Sequence, residues 1–404
     1  MTTANDERTI TQHGLGEHSH GAGNGLATGH GGSSLHRFAS FDVDAHEVPH
    51  GREEAWRFTP MARLRGLHAD TALDGHDYEV SVDADPQVRV ETGEADDPRR
   101  GSSGYVPNDR VSARAWAQAD KVLAVTVPRE VAATKPTVVR LRGLSAEKAA
   151  AGHVVVTADA FSSGVVVLEY EGSAAFVDNV EVVVHDGANL TLVTLQEWAD
   201  DAVHLSHHHI RVGRDATVKH VVVTFGGNLV RTATSLDYAG PGGDAQLLGL
   251  YFVDAGQHIE NRLFVDHNTP KAHSNVAYKG ALQGKNAHAV WVGDVLIRPE
   301  AEGITTYELN RNLVLTDGAR ADSVPNLEIE TGEIVGAGHA SATGRFDDEQ
   351  LFYLQARGIP EDQARRLVVR GFFTSLINQI GVPELTDRLL AAVERELAHS
   401  EASA

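Results

Sequence analysis

The chain has 404 residues, a formal charge of −21 and no cysteine. That length supplies an ample core; the lack of thiols excludes disulfides and thiolate ligands from this chain, and the charge argues against sequence-independent binding to nucleic acid or anionic lipid. No apolar run approaches the roughly 20 residues that span a bilayer, and the N-terminus lacks a basic-then-apolar leader, so a cytoplasmic protein is expected.

Residues 1–36 are rich in Gly, His, Ser and Thr, as in His18-Ser19-His20-Gly21. Such a segment buries too little apolar surface to offset its ordering entropy and is expected to be a disordered tail. A small α-rich lobe with its linker is expected over 37–104. Trp56, Phe58, Met61, Leu64 and Leu67 fall there at helix-like spacing, and ETGEADDPRRGSSG (91–104) reads as a surface loop or linker.

From 105 to 343 short β-branched runs recur, among them Val154-Val155-Val156-Thr157, Val165-Val166-Val167-Leu168 and Val221-Val222-Val223-Thr224. Small turns that place an alanine after a glycine, amide or charged residue separate them, with alanines at 188, 216, 245, 287 and 321, in steps of 28, 29, 42 and 34. A ragged repeat of that length predicts stacked coils, a β-solenoid, rather than a sandwich with a hairpin every 8–12 residues or so. Residues 344–404 read as a helical domain. Asp347 is the expected cap of its first helix, Gly358 and Pro360 separate the first helix from the second, and Gly381-Val382-Pro383 separates the second from the third. The second helix carries two apolar stripes, one with Leu367, Val368, Gly371 and Phe372, the other with Val369, Phe373, Ile377 and Ile380. Two stripes predict burial on both sides, in a helical bundle or against another protein.

His339 is the candidate ligand. Its neighbours Gly338, Ala340, Ser341 and Ala342 leave the imidazole unshielded, and imidazole suits iron as well as zinc; the alternative is a histidine that donates to a turn carbonyl. His204, His207, His208 and His209 form the densest histidine cluster, but strand alternation splits them into pairs on opposite faces, which favours ordinary ladder positions over a metal site. His258, Glu260, His267, His273 and His288 are expected to stack between coils as a polar ladder, and Glu260 and Glu328 could join His339 if the coils bring them close. No phosphate-binding loop, zinc-protease helix or nucleophile elbow is present, so the chain is not expected to be an enzyme.

Two segments carry a resemblance to a known family. Arg52-Glu53-Glu54-Ala55-Trp56-Arg57-Phe58-Thr59 resembles the N-terminal E-x-W-R-[FY]-T segment of the SufB/SufD scaffold proteins of iron–sulfur cluster assembly. The stretch from Gly338 to Ile359, beginning Gly338-His339-Ala340-Ser341-Ala342-Thr343-Gly344-Arg345-Phe346-Asp347, resembles the sequence that closes their core. The resemblance implies a mainly β protein with a right-handed parallel β-helix core. It implies a SufB-like scaffold partner and a SufC-like ATPase docked on the C-terminal helices, with Leu351, Phe352, Leu354, Arg366, Val369, Phe373 and Ile377 as contact residues. It also implies that His339 lies at the contact with SufB as a ligand for iron or nascent cluster. Clusters are normally held by cysteine thiolates, so this chain is expected to bind no cofactor tightly alone; iron or cluster would be transient at the SufB interface. The lack of cysteine favours the SufD branch. Ala337-Gly338-His339 departs from the family's Cys-Ser-His, which leaves histidine as the motif's one ligand candidate. A purely structural SufB companion is the rival reading, and a β-helix carbohydrate-active enzyme a remote one. Unpaired strand edges at the end of the coil stack also make a homodimer of the isolated chain plausible.

Overall fold

The computed structural model describes residues 38–346 and 348–402; the expected disordered tail and the expected cap Asp347 lie outside the described residues. The first half of the described chain holds β1 (Tyr78–Asp83), β2 (Arg89–Glu94), α1 (Arg110–Gln118), β3 (Lys121–Val127) and the two long strands β4 (Thr137–Ala158) and β5 (Ser163–Val184). Ten-residue strands follow at short intervals: β6 (Asn189–Trp198), β7 (Val203–Val212), β8 (Thr217–Phe225), β9 (Leu229–Tyr238), β10 (Asp244–Val253) and β11 (His258–His267), with β8 one residue shorter. The series ends with β12 (His273–Leu282), β13 (His288–Ile297), β14 (Ile304–Val314), β15 (Arg320–Ile329) and β16 (Ile334–Arg345), then α2 (Asp348–Ala356), α3 (Glu361–Ile380) and α4 (Pro383–Ala402).

From β5 onward alternate strands pair in parallel. Even-numbered strands run β6-β8-β10-β12-β14-β16, and odd-numbered strands run β5-β7-β9-β11-β13-β15. Each coil contributes one strand to each ladder, so the chain is a mainly β, parallel β-solenoid with C-terminal helices. The even ladder advances in coils of unequal length, Leu190 pairing with Val218, Val218 with Ala245, Ala245 with Ser274 and Ser274 with Thr306. The 42-residue step of the alanine repeat has a simple origin. Ala188, Ala216 and Ala245 belong to the even ladder, whereas Ala287 and Ala321 belong to the odd one, so the step crosses between ladders. The turns that feed the strands need left-handed backbone at Gly187, Gly242 and Gly318, which glycine adopts without steric cost, and at Asp215, whose short polar side chain tolerates it.

Alternation along each strand sends one set of side chains into the lumen and the other outward. The lumen holds Leu190, Leu192, Leu247, Val276, Leu263 and Trp291, and its bulk is balanced across coils. Gly249 pairs with Tyr278 and Gly280 with Tyr251, and a Cβ at either glycine would collide with the neighbouring tyrosine ring. The outer face of the even ladder (Val193, Leu195, Val221, Val223, Leu248, Leu250, Phe252) is covered by α3 and α4. The outer face of β4, β5, β7 and β9 is covered by the N-terminal lobe, through Trp56, Leu64, Leu67, Val111 and Ala115.

That lobe is less helical than its spacing predicts. Residues 53–70 form turns around one 3₁₀ segment, Met61–Arg63, because Arg65 and Gly66 adopt left-handed backbone and end the run. β1 and β2 add antiparallel strands to β4 and β3. The Gly/Ser stretch read as a loose loop is tied down: Gly101 N donates to Glu181 Oε1 (2.7 Å), and the buried Ser103 hydroxyl donates to the same carboxylate.

The lumen also contains buried histidines. His208 and His220 meet across it, Nδ1 to Nε2, at 2.8 Å, and burial lowers His208 to about 4 and holds His220 well below the usual histidine range. Burial likewise lowers His267 to about 3. Unfolded histidines bind a proton near 6.5, so unfolding takes up protons as pH falls from about 6.5 toward 4. Their folded pKa values are depressed, hence their stabilisation is complete above about 6.5 and is lost on acidification through that window. We expect on the order of 3 kcal/mol to be lost from His208 alone. Denaturant midpoints between pH 7 and 4.5 check this; the double substitution H208L/H220L, which removes both partners together, should flatten the decline.

Candidate functional site

The terminal coil is formed by β15 and β16, each paired on one side only among the described residues. Their free backbone edges are the kind of surface another strand adds to. β16 pairs with β14 in the register Glu308–His339, Asn310–Ser341 and Asn312–Thr343. Thr306 and Ala337 one step earlier face the lumen core, so alternation turns His339, Ser341 and Thr343 toward the lumen mouth. No further coil lies above them among the described residues, and they are exposed, whereas Glu308, Asn310 and Asn312 one coil deeper are buried.

The mouth has a polar floor. Tyr251 Oη donates to Asn312 Oδ1 (2.5 Å), Asn310 Nδ2 to Tyr251 Oη (3.0 Å), and Asn312 Nδ2 to Ser323 Oγ (3.0 Å) on the opposite ladder. Glu308 stands beside this network without joining it. Burial, with Asp294 adding, pushes its carboxyl up to about 8.

The other candidates are dispersed by the fold. Within the His204–His209 segment, His204 and His208 face the lumen and His207 and His209 face outward, as strand alternation predicts. His204 accepts from Trp198 Nε1 (3.2 Å) and lies 3.1 Å from Asp178 Oδ1. His207 and His209 share Ser235 Oγ (3.0 and 2.9 Å) under the Tyr105 ring. The expected polar ladder forms only in part. His258 and His288 meet edge-on between coils, Nδ1 to Nδ1 at 3.1 Å, and His288 Nε2 donates to Asp322 Oδ2 at 2.7 Å. Buried His267 instead faces Ser274 across the lumen, and His273 is exposed at the start of β12. Neither acidic residue considered for the neighbourhood of His339 stands in its column. Glu260 lies on the outer face of β11, where it accepts from Thr59 Oγ1 (2.6 Å), Arg231 Nε (3.3 Å) and Arg262 Nη1 (3.2 Å). Glu328 is on the outer face of β15, because Ala321 and Leu327 take the inner one. Among the described residues no three His, Asp or Glu side chains converge as a metal site.

The C-terminal helices divide the expected partner residues in two. Val369, Phe373 and Ile377 are fully buried against the outer face of β8, β10 and β12, and Leu351 is buried as well. This corrects their assignment to a partner surface: the even ladder is apolar on its outer face too, and needs a cover from its own chain. Phe352 (72% exposed) and Leu367 (51% exposed) remain on the outside, with Leu354 and Arg366 half-buried. Lys279 fastens α3 to the solenoid by donating to the Phe372 carbonyl (2.6 Å) and Ser375 Oγ (2.7 Å).

Comparison with known proteins identifies the family. The class of fold is a parallel β-solenoid with a helical cover on one face. Residues 141–372 match the family model for the SUF system FeS cluster assembly SufBD core domain. The chain is 56% identical over 372 residues to an iron–sulfur cluster assembly SufBD family protein of Mycobacterium bovis, covering 91% of this chain and 94% of that one. A Mycobacterium leprae protein of the same description is 54% identical over 90% of this chain and 94% of its own. The iron–sulfur cluster assembly protein SufD of Bacillus subtilis is 26% identical over 67% of this chain and 63% of its own length. The chain belongs to the SufBD family of iron–sulfur cluster assembly proteins.

Proposed function

We propose that this chain is the SufD-type subunit of a SufB–SufC–SufD assembly in the cytoplasm, a non-catalytic scaffold that pairs with a SufB-like chain through its terminal coil. A SufC-like ATPase docks on the exposed side of the C-terminal helices, around Phe352, Leu354, Arg366 and Leu367. His339 supplies a ligand to iron or nascent cluster, which is cargo held at the SufB contact. The observation that carries this reading is the placement of His339: an exposed imidazole at the lumen mouth, on a strand whose outer edge has no partner among the described residues. The mycobacterial and Bacillus relatives, named for the same assembly process, support the reading. Among the described residues no helix is long and apolar enough to cross a membrane, which fits the proposed compartment.

The test is His339→Ala in the chain co-purified with its SufB-like and SufC-like partners. The complex should form as before, while the yield of reconstituted cluster, read by absorbance and iron content, should fall by about tenfold or more. An unchanged yield from an intact complex would leave the chain a purely structural companion.

A further inference from the structure

One group at the lumen mouth is not explained by the fold. Glu308 is 1% exposed, and both of its carboxyl oxygens are buried without a hydrogen-bond partner. A carboxyl in that state is costly, and packing does not require it. The same column of the even ladder holds Leu192, His220, Leu247 and Val276, so an apolar residue would continue the stack below it. Two further features mark the same point. Gly293 on the facing ladder has no side chain, and a Cβ there would sit 2.7 Å from Glu308 Oε1. The indole Nε1 of the buried Trp291, whose ring edge flanks the same point, also has no hydrogen-bond partner.

Directly above Glu308 in register is His339. Neighbouring strands of a ladder lie about 4.8 Å apart, and residues in register on parallel strands point the same way. A carboxylate and an imidazole are therefore stacked one coil apart at an open mouth. We propose that Glu308 and His339 are the two ligands this chain contributes to a divalent-cation site of the iron(II) class in the terminal coil. The inference rests on the reading of His339 as a ligand and adds to it a second donor. Carboxylate with imidazole suits iron(II). Because no third His, Asp or Glu converges among the described residues, the pair is an incomplete coordination sphere, to be completed by solvent, sulfide or a donor from the paired subunit. A motif without cysteine thus still offers a chelate.

The test is Co(II) titration of the full-length chain carrying ¹⁵N-labelled tryptophan. Co(II) stands in for iron(II), and the histidine-rich N-terminal sequence will also take it up, so the readout must be local. The Trp291 indole signal provides that, with those of Trp56, Trp116 and Trp198 as internal controls. In the unsubstituted protein Trp291 should broaden or shift saturably while the other three do not. Glu308→Gln and His339→Ala should each raise the half-saturating Co(II) concentration by about tenfold or more, with the control signals unmoved to show an intact fold. If His339→Ala does so and Glu308→Gln does not, Glu308 is no ligand, although the reading of His339 stands. If Glu308→Gln does so and His339→Ala does not, the pair and the His339 reading both fail. No selective response of Trp291 in the unsubstituted protein would overturn the site.

Discussion

Replacing Phe373 by alanine is expected to destabilise the protein by about 4 kcal/mol and to loosen the C-terminal helices before the solenoid unfolds. Phe373 is fully buried between α3 and the outer face of the even ladder, in the cluster of Val221, Val223, Leu248, Leu250 and Phe252. Truncation removes a large transfer term and leaves a cavity that rigid strands cannot close. Because α3 and α4 share this contact, amide hydrogen exchange should show both losing protection together while β6, β8 and β10 keep theirs. Protection of α3 equal to that of the unsubstituted protein would mean that the helices are held elsewhere. The substitution also bears on the proposed function: with the proposed docking surface loosened, cluster assembly in the co-purified complex should fall even with His339 intact.

Replacing Glu260 by alanine is the second large effect, expected at about 3 kcal/mol. Burial alone would raise this carboxyl, but Arg231, His258 and Arg262 beside it hold it well below the usual carboxylate range. The cluster joins the N-terminal segment to the coils. Thr59 donates to Glu260, Arg231 lies 4.0 Å from the Trp56 ring centroid, and the guanidiniums donate to the carbonyls of Ala55 (3.1 Å) and Glu54 (3.4 Å). Removing the carboxylate leaves two buried cations without their shared counter-charge. Limited proteolysis should then cut between residues 50 and 75 at concentrations that leave the unsubstituted chain whole. Equal resistance would show that the apolar contacts of Trp56, Leu64 and Leu67 suffice. The E-x-W-R-[FY]-T resemblance is thereby given a physical role, since its aromatic and hydroxyl side chains are the groups that meet the arginine–glutamate cluster.

Much of this arrangement was legible in the chain. The β-branched runs and the ragged alanine repeat pointed to stacked coils, and the alternation in Val203–Val212 separated its histidines correctly. Two things were not legible. Register was one: an irregular repeat fixes neither coil length nor ladder, so the separation of 31 positions from Glu308 to His339 did not mark them as neighbours, and Glu260 and Glu328 looked equally eligible. The other was which apolar stripe of α3 stays inside the chain, because docking on one's own sheet and docking on a partner require the same side chains. A signal did exist. Leu247-Leu248-Gly249-Leu250-Tyr251-Phe252-Val253 is apolar on both faces, and a strand of that kind needs cover on its outer side, which the stripe of Val369, Phe373 and Ile377 supplies.

Native mass spectrometry of the chain co-expressed with its SufB-like and SufC-like partners tests the central claim most directly. The account predicts a stable assembly with one copy of this chain, one SufB-like chain and two ATPase subunits. A chain that remains alone, or pairs only with itself through the terminal coil, would contradict it.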